Sequence, residues 1–312
     1  MFDSVNFILT QDEVGGVDFM AEIPRYLDNV GEHVYSNGGV TTTGMLGGLY
    51  VSVSPYRIKV YNGSMCKWFL GNNYHTLSRR DTQHAIEKLS DLLHMPMNSA
   101  TVTRLDMAQN FIIQHPIEVY LNHLGVLRGA ARLRQPSGLY YTKRGGLLCF
   151  YDKNQEQKDK GEPIPEIYAG RNVLRYEQRY TSRLGKQLNV PRVTGALLYD
   201  ERFYRELVDR WRDIYKNIHK INDIELNLQA MRTVKDLQQM GILSLVERAG
   251  GQLQFLDLIN EKQKRGELTR KEAYDMRQRV NKACENSAEL VTPNEAIQEL
   301  DRKVLEAVRF YR

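Results

Sequence analysis

Three segments of the chain alternate charged and apolar side chains, as a strand does when one face of its sheet is polar. They span residues 101–111, 147–153 and 172–180. Their polar sides carry four cations, two carboxylates and a tyrosine, namely Arg104, Asp106, Tyr151, Lys153, Arg175, Glu177 and Arg179. An antiparallel sheet with one face on a core and the other face in water produces this pattern.

Asp106 and Glu177 are the residues of this set with the most direct chemistry. Carboxylates from different strands can converge on one face and bind a hard divalent cation through oxygen ligands. The nearby arginines and Lys153 could neutralise a phosphate beside that cation. The pattern alone is equally typical of a solvent-exposed sheet face with cross-strand ion pairs, such as Arg104 with Glu177. Both interpretations stay open at this point.

The elements that would position these residues follow from periodicity and turn signals. Short β-prone runs lie at 7–9, 50–53, 57–60 and 67–70, and longer strands are predicted at 101–113 and 172–180. Ser78 is predicted to cap a helix, and a hairpin over 139–153 is predicted to turn at Gly145-Gly146. Tyr204, Trp211 and Tyr215 fall on one helical stripe, which is typical of core packing.

These elements predict an α+β fold. We expect a curved antiparallel β-sheet domain over residues 1–220 and an all-helical accessory domain over 221–312, which would serve DNA binding or oligomerisation. The boundary is set by a break in the helical pattern near residues 220–223, after which the apolar spacing is that of helices.

Positive charge is concentrated in the middle of the chain. Residues 125–220 carry 20 Lys and Arg against 11 Asp and Glu, while residues 1–124 carry 8 against 12 and residues 221–312 carry 15 against 15. A basic stretch between neutral or acidic flanks predicts a phosphate-binding surface. A solvated basic face without a partner is the alternative on charge alone. The residues predicted to contact phosphates are Arg104, Arg128, Arg132, Arg134, Arg171, Arg175, Arg179 and Arg183.

Composition predicts a cytoplasmic protein without membrane contact. Cys66, Cys149 and Cys284 are widely spaced and are expected to be reduced thiols. The first ten residues have no basic run of the kind that begins a signal peptide. The longest uncharged stretch, from 36 to 56, is rich in Gly, Ser and Thr, which a membrane helix is not.

The order of three short motifs resembles a known family. TRLD stands at 103–106, FYDK at 150–153 with Glu156-Gln157 after it, and LRYE at 174–177. This order is similar to the replication proteins of the filamentous-phage gene II/X type and, more distantly, to the Rep_trans initiators of rolling-circle plasmids. The resemblance covers roughly residues 1–220. The chain departs from the better-known histidine-containing initiators, because none of its seven histidines forms a His-hydrophobic-His triplet.

The resemblance implies a rolling-circle initiator that nicks one DNA strand by transesterification. It implies that Tyr151 attacks the DNA, leaving a 5′-phosphotyrosine and a 3′-hydroxyl primer, and that Asp106 and Glu177 bind Mg²⁺ or Mn²⁺. A tyrosine has a pKa of about 10, and a lysine on the same strand face, here Lys153, would favour the phenolate. Tyr199 is the reserve nucleophile.

The implied partners are single-stranded or cruciform origin DNA and a host helicase, in the host cytoplasm if a phage encodes the chain. A homodimer is also considered. Two alternatives remain open: a metal-dependent nuclease that forms no covalent link, and a catalytically silent protein that binds origins or packages DNA.

Overall fold

The computed structural model describes residues 1–224, 232–285, 291–292 and 294–312. The strands, in chain order, are β1 Phe2–Thr10, β2 Asp28–Val34, β3 Val40–Leu46, β4 Leu49–Ser54, β5 Arg57–Tyr61, β6 Thr101–Ile113, β7 Leu124–Leu127, β8 Ala131–Gln135, β9 Gly138–Lys143, β10 Gly146–Asp152, β11 Asn172–Tyr180, β12 Ile218–Lys220, β13 Asp223–Ile224 and β14 Val291–Thr292. The α-helices are α1 Phe19–Glu22, α2 Met65–Leu70, α3 Arg79–Leu93, α4 Ile117–His123, α5 Lys153–Asp159, α6 Leu184–Leu188, α7 Glu201–Lys216, α8 Val234–Ala249, α9 Gln252–Lys264, α10 Arg270–Glu285 and α11 Glu295–Tyr311.

Ten of these strands form one open sheet. Their order is β2-β3-β4-β5-β1-β6-β11-β10-β9-β8, with β2 and β8 at the two edges. All neighbouring strands run antiparallel. The predicted α+β class, with a large antiparallel sheet followed by helices, is confirmed.

The strands predicted from alternation lie where the sequence placed them. β6 and β11 have the predicted bounds, and they pair in register along their whole overlap. The predicted hairpin is formed by β9 and β10, and its turn includes Gly145 at φ +82°. Glycine adopts this left-handed conformation readily because it has no Cβ. Ser78 caps α3 as predicted, and Asp81 completes the capping box.

The prediction of a strand at 67–70 is wrong, because these residues lie in helix α2. The Ser64 side chain accepts a hydrogen bond from the backbone N–H of Lys67, which caps the start of the helix. Gly71 ends it in the left-handed conformation at φ +83°. The local capping residues therefore outweigh the β-prone composition of this short run.

The strand predicted over 147–153 ends one residue earlier than expected. β10 ends at Asp152, whose side chain accepts a hydrogen bond from Gln155 N and caps α5. Lys153 is consequently the first residue of that helix. It does not continue the strand face that carries Tyr151.

Helices cover the apolar face of the sheet. The ring of Tyr176 on β11 stacks on Phe150 and on Trp211 of α7, with centroids 4.6 and 4.5 Å apart respectively. Its hydroxyl donates to the Trp211 carbonyl at 2.9 Å. Tyr204 and Tyr215 are buried on the same face of α7, which confirms that this aromatic stripe is core packing.

The helices after residue 220 pack in two places. α8, α9 and α10 share a small apolar cluster that contains Val246, Ile259 and Val280. α11 instead contacts α4, α7 and β6, and its Leu300 and Val304 belong to the main core. One core thus joins the sheet and the last helix. The division of the chain into two domains at residue 220 stays a prediction. Among the described helices, none is both long and apolar enough to cross a bilayer.

Candidate active site

The three polar segments meet on one face of the sheet. Arg175 on β11 lies directly opposite Asn110 on β6 and opposite Tyr151 on β10, and Arg179 lies opposite Asp106. Directly opposed residues of an antiparallel pair have Cβ atoms about 4.5–5.5 Å apart. The structure therefore brings together the side chains that alternation had placed on one side of each strand.

This polar face is not open to water at its centre, contrary to the expectation from alternation. Asp106, Arg175 and Glu177 have exposures of 1%, 0% and 2%. The segment of Asn73 and Tyr74 covers Arg175 and Asn110, since the Asn110 side chain donates to the backbone carbonyls of both residues and Arg175 donates to that of Asn73. Alternation alone cannot reveal this cover, because it is contributed by a different part of the chain.

Arg175 organises the buried centre. Its Nη2 donates to Asp3 Oδ2 at 2.7 Å and its Nε donates to Glu177 Oε2 at 3.2 Å. Its Nη1 donates to the Asn73 carbonyl at 3.1 Å and to Asn110 Oδ1 at 3.2 Å. A buried guanidinium is stable only with partners of this kind. Arg175 thus positions carboxylates. It does not face solvent, although it was predicted to contact phosphates.

Asp3 is a residue of this site that the sequence analysis missed. It lies on β1, and its second carboxylate oxygen accepts a hydrogen bond from Ser64 Oγ at 2.6 Å. The available signal was a single charged residue in a first strand whose other residues are uncharged. Only the pairing of β1 with β6 brings it beside residues about a hundred positions later.

Tyr151 and Glu177 form the central contact of the site. The Tyr151 hydroxyl donates to Glu177 Oε2 at 2.9 Å. Burial raises the pKa of Tyr151 well above its usual value, although the Arg175 guanidinium acts in the opposite direction. The hydroxyl is therefore protonated at neutral pH, and it requires a proton acceptor before it can act as a nucleophile.

Glu177 is the most strongly paired carboxylate of the site. Burial by itself would raise its pKa, but Arg175 and Arg179 hold that pKa at about 2. Arg179 Nε donates to Glu177 Oε1 at 2.9 Å, and the Arg179 side chain is 30% exposed. One of the two cations that hold this carboxylate is thus accessible from outside, whereas the other is enclosed.

Asp106 is held by a single arginine. Arg104 donates to it from Nε at 3.0 and 3.1 Å and from Nη2 at 2.7 Å. Burial nevertheless raises the pKa of Asp106 to about 6, with Glu177 adding to the increase and Arg104 opposing it. The interaction of Arg104 with Glu177 that was considered from sequence is replaced by this contact within one strand.

Lys153 lies beside the site but is directed elsewhere. Its Nζ is completely buried and donates to Glu156 Oε2 at 2.7 Å. Burial lowers the pKa of Lys153, while Lys153 and Lys160 together hold the pKa of Glu156 at about 2, against the effect of burial. The Tyr151 hydroxyl contacts Glu177 and not Lys153. Burial and the Arg175 charge, rather than the expected effect of Lys153, change the pKa of Tyr151 most.

A cavity of about 300 Å³ opens onto these groups. Its walls include Asp106, Tyr151 and Glu177, together with the cations Arg104 and Arg179. Within the described part of the chain, no three His, Cys, Asp or Glu side chains cluster as metal ligands. Mg²⁺ is commonly held by one or two carboxylates with water and substrate phosphate. Asp106 and Glu177 fit that smaller requirement, but each must exchange an arginine contact for the metal.

The other arginines predicted to contact phosphates are scattered. Arg128, Arg171 and Arg183 are exposed. Arg132 and Arg134 lie opposite Tyr141 and Leu139 of β9, and those two lie opposite Leu148 and Phe150 of β10. This register assigns Arg132 and Arg134 to the face opposite Tyr151. They therefore do not border the cavity, although the sequence analysis had grouped them with it.

The reserve nucleophile lies outside the cavity. The Tyr199 hydroxyl donates to Asn98 Oδ1 at 2.9 Å, in a short 3₁₀ turn before α7. Of the tyrosines weighed from sequence, Tyr151 is the one whose hydroxyl contacts a carboxylate of the polar face.

Comparison with known proteins agrees with this arrangement. The family named Phage_CRI, described as the N-terminal part of a replication-associated protein, matches residues 1–213. This range contains the whole ten-stranded sheet and every residue of the site. No curated protein sequence matches the chain significantly. The match extends over more than half of the chain, and we conclude that the chain belongs to this family of phage replication-associated proteins.

Proposed function

We propose that this protein is a rolling-circle replication initiator of the gene II/X type that cuts one DNA strand with Tyr151. The observation that carries the proposal is the hydrogen bond from the Tyr151 hydroxyl to Glu177, made inside a cavity lined by Arg104 and Arg179. A nucleophile, a proton acceptor and cations for a phosphate are the parts that phosphoryl transfer requires. Membership of a phage replication family supports DNA as the substrate.

The reaction is a transesterification that conserves a phosphodiester. The Tyr151 oxygen forms a bond to the scissile phosphorus as the bond from phosphorus to the 3′-oxygen breaks. The products are a 5′-phosphotyrosine and a DNA 3′-hydroxyl that can prime synthesis. The tyrosine proton passes to Glu177. The departing 3′-oxygen takes a proton from water, and the proton that Glu177 then releases to solvent restores the balance.

Because two arginines hold Glu177, the binding of DNA is part of the proposed mechanism. While Arg175 and Arg179 both hold it, Glu177 is a weak base with a pKa of about 2. A phosphate that binds the exposed Arg179 competes for one of these two cations. Glu177 Oε1 is then free to bind a metal ion, while Oε2 stays beside the Tyr151 hydroxyl and can accept its proton.

We also propose that Asp106 and Glu177 hold Mg²⁺ or Mn²⁺ when DNA is bound. Such a cation would supply positive charge to the scissile phosphate. Direct binding of the metal can be measured without any reaction, for instance by calorimetry with Asp106→Asn as the comparison. Single-stranded or cruciform origin DNA, a host helicase and a site of action in the host cytoplasm complete the proposal.

Covalent capture tests the proposed reaction. A labelled single-stranded oligonucleotide should become attached to the wild-type protein and stay attached through boiling in detergent. Tyr151→Phe should form no adduct, whereas Tyr199→Phe should form it normally. Cutting without an adduct would favour the metal-dependent nuclease. Binding without cutting would favour the catalytically silent origin-binding protein.

A further inference from the structure

A second cavity of about 290 Å³ adjoins the first on the side of β9 and β10. The two cavities share four lining residues, which are Tyr151, Glu156, Lys160 and Arg179. On its far side the second cavity is lined by Ser137 and Tyr140. A strand of DNA with its scissile phosphate at Tyr151 therefore has a cavity for the adjacent nucleotide.

The ring of Tyr140 has a defined position in this second cavity. Gly138 lies directly opposite Tyr151, and Tyr140 lies opposite Cys149, on the same face. A Cβ placed on Gly138 would be 3.0 Å from Tyr140 Cε2 and 3.0 Å from its hydroxyl oxygen. The Tyr140 ring therefore lies over Gly138, beside Tyr151, in space that a larger residue at position 138 would occupy.

The charged groups around this ring suit a phosphate more than the edge of a base. Arg179 and Lys160 line both cavities, so a phosphodiester that passes from one to the other meets two cations, each of which would share its carboxylate contact with the phosphate. The carboxylates nearby already have partners. Asp152 caps α5, Asp159 accepts from Gln155 Nε2 at 2.7 Å, and Glu156 pairs with Lys160.

We infer that the second cavity binds the nucleobase next to the scissile phosphate by stacking it on Tyr140. The inference rests on the proposed function and adds a substrate subsite to it. Because the face of the base is bound and the nearby carboxylates are engaged, this subsite accepts different bases. It fixes the position of the nucleotide, and through it the position of the phosphate relative to Tyr151. Tyr140 is thus a positioning residue.

A cycle of protein and DNA changes tests the stacking. The proteins are Tyr151→Phe, which should bind without cutting, and the double variant Tyr151→Phe with Tyr140→Ala. The DNA is a single strand that wild type cuts, either intact or with an abasic sugar at one nucleotide beside the cut. Stacking on an aromatic side chain is worth about 1–3 kcal/mol per base, so Tyr140→Ala should weaken binding of intact DNA by about 5- to 150-fold.

The decisive result is the coupling between the two changes. On DNA that is abasic at the stacked position, Tyr140→Ala should have almost no further effect, because the contact is already lost. Tyr140→Phe keeps the ring and should bind like the parent. Tyr56→Ala removes a tyrosine that is 75% exposed and does not line either cavity, and it should change nothing. Equal loss from Tyr140→Ala on intact DNA and on each abasic DNA would overturn the inference.

Failure of the inference can be told from failure of the proposed function. If wild type forms an adduct and Tyr140→Ala leaves affinity unchanged, only the stacking subsite is disproved. If wild type cuts no strand, the proposed reaction fails. The subsite is then tested on oligothymidylate, where unchanged affinity in Tyr140→Ala would disprove it and a loss that Tyr140→Phe restores would support it.

Discussion

Tyr151 and Glu177 lie on adjacent strands, and their side chains meet through a hydrogen bond of 2.9 Å from the tyrosine hydroxyl to Oε2. The same oxygen accepts from Arg175 Nε at 3.2 Å. One carboxylate thus joins the candidate nucleophile to a fully buried cation. Changing Tyr151 should therefore affect the reaction alone, whereas changing Glu177 should affect both the reaction and the stability of the protein.

Removing the hydroxyl of Tyr151 should affect the reaction and leave the fold intact. Tyr151→Phe keeps a ring suited to a strand, and it should abolish the covalent adduct because no other atom replaces the attacking oxygen. Affinity for DNA should stay near wild type, since cationic contacts dominate it. Adduct formation and filter binding measure the two effects. An adduct that persists in Tyr151→Phe and disappears in Tyr199→Phe would assign the reaction to Tyr199.

Neutralising Glu177 should destabilise the protein as well as stop the reaction. Glu177→Gln leaves Arg175 without one of its two buried carboxylates. Removing one partner of a buried ion pair typically costs about 3–5 kcal/mol. Denaturant unfolding should show this loss, while Glu118→Gln, at an exposed position, should change stability little. Full stability in Glu177→Gln would show that the arginine contacts are not essential to the fold.

Asp106 should give the stability of the protein a distinctive pH dependence. Burial raises its pKa to about 6 in the folded protein, whereas an unfolded aspartate has a pKa of about 3.9. Between these pH values the folded state binds the proton more tightly, so the free energy of unfolding decreases as pH rises, by on the order of 3 kcal/mol. Glu177 and Glu156 act in the opposite direction at lower pH, because their pKa values are lowered to about 2.

The difference between wild type and Asp106→Asn isolates this effect. Unfolding measured in chelator from pH 4 to pH 7 should show wild type losing stability relative to the variant as pH rises. A constant difference between the two proteins over this range would show that Asp106 titrates normally.

Replacing Asp106 should weaken metal binding and leave the nucleophile, Tyr151, in place. Asp106→Asn should weaken binding of Mn²⁺ by the protein, and excess Mn²⁺ should restore part of the adduct formation because Tyr151 is still present. Asp91→Asn, at an exposed position on α3, is the control. Equal affinity for Mn²⁺ in wild type and Asp106→Asn would remove Asp106 from the metal site.

DNA affinity should fall steeply with salt, and single arginines should contribute unequally. Neutralised phosphates release counterions, so the dependence of log affinity on log salt should be steep. Arg179→Ala, at the cavity, should reduce that slope by about 1. Arg132→Ala should reduce it much less, because Arg132 lies on the opposite face of the sheet. The reverse ranking would place the DNA on that other face.

Much of the sheet could be predicted from local sequence. Alternation along β6 and β11 identified both strands and the side of each that carries charge. Turn and capping residues located the β9–β10 hairpin and the start of α3. These features depend on residues within a few positions of one another, which is why they can be seen without the fold. Where a cap competes with strand composition, as at α2 and α5, the local pattern misled.

Which residue types share a strand face could be inferred from residue order alone, and this inference identified Tyr151, Asp106 and Glu177 as candidates. Which of these side chains touch depends on the folded chain, because cross-strand register joins segments far apart in the sequence. Asp3 reaches Arg175 across 172 positions, and Tyr140 lies beside Tyr151 only because Gly138 leaves room. The cover over Arg175 and Asn110 likewise comes from a distant segment, and no alternation within a strand encodes it.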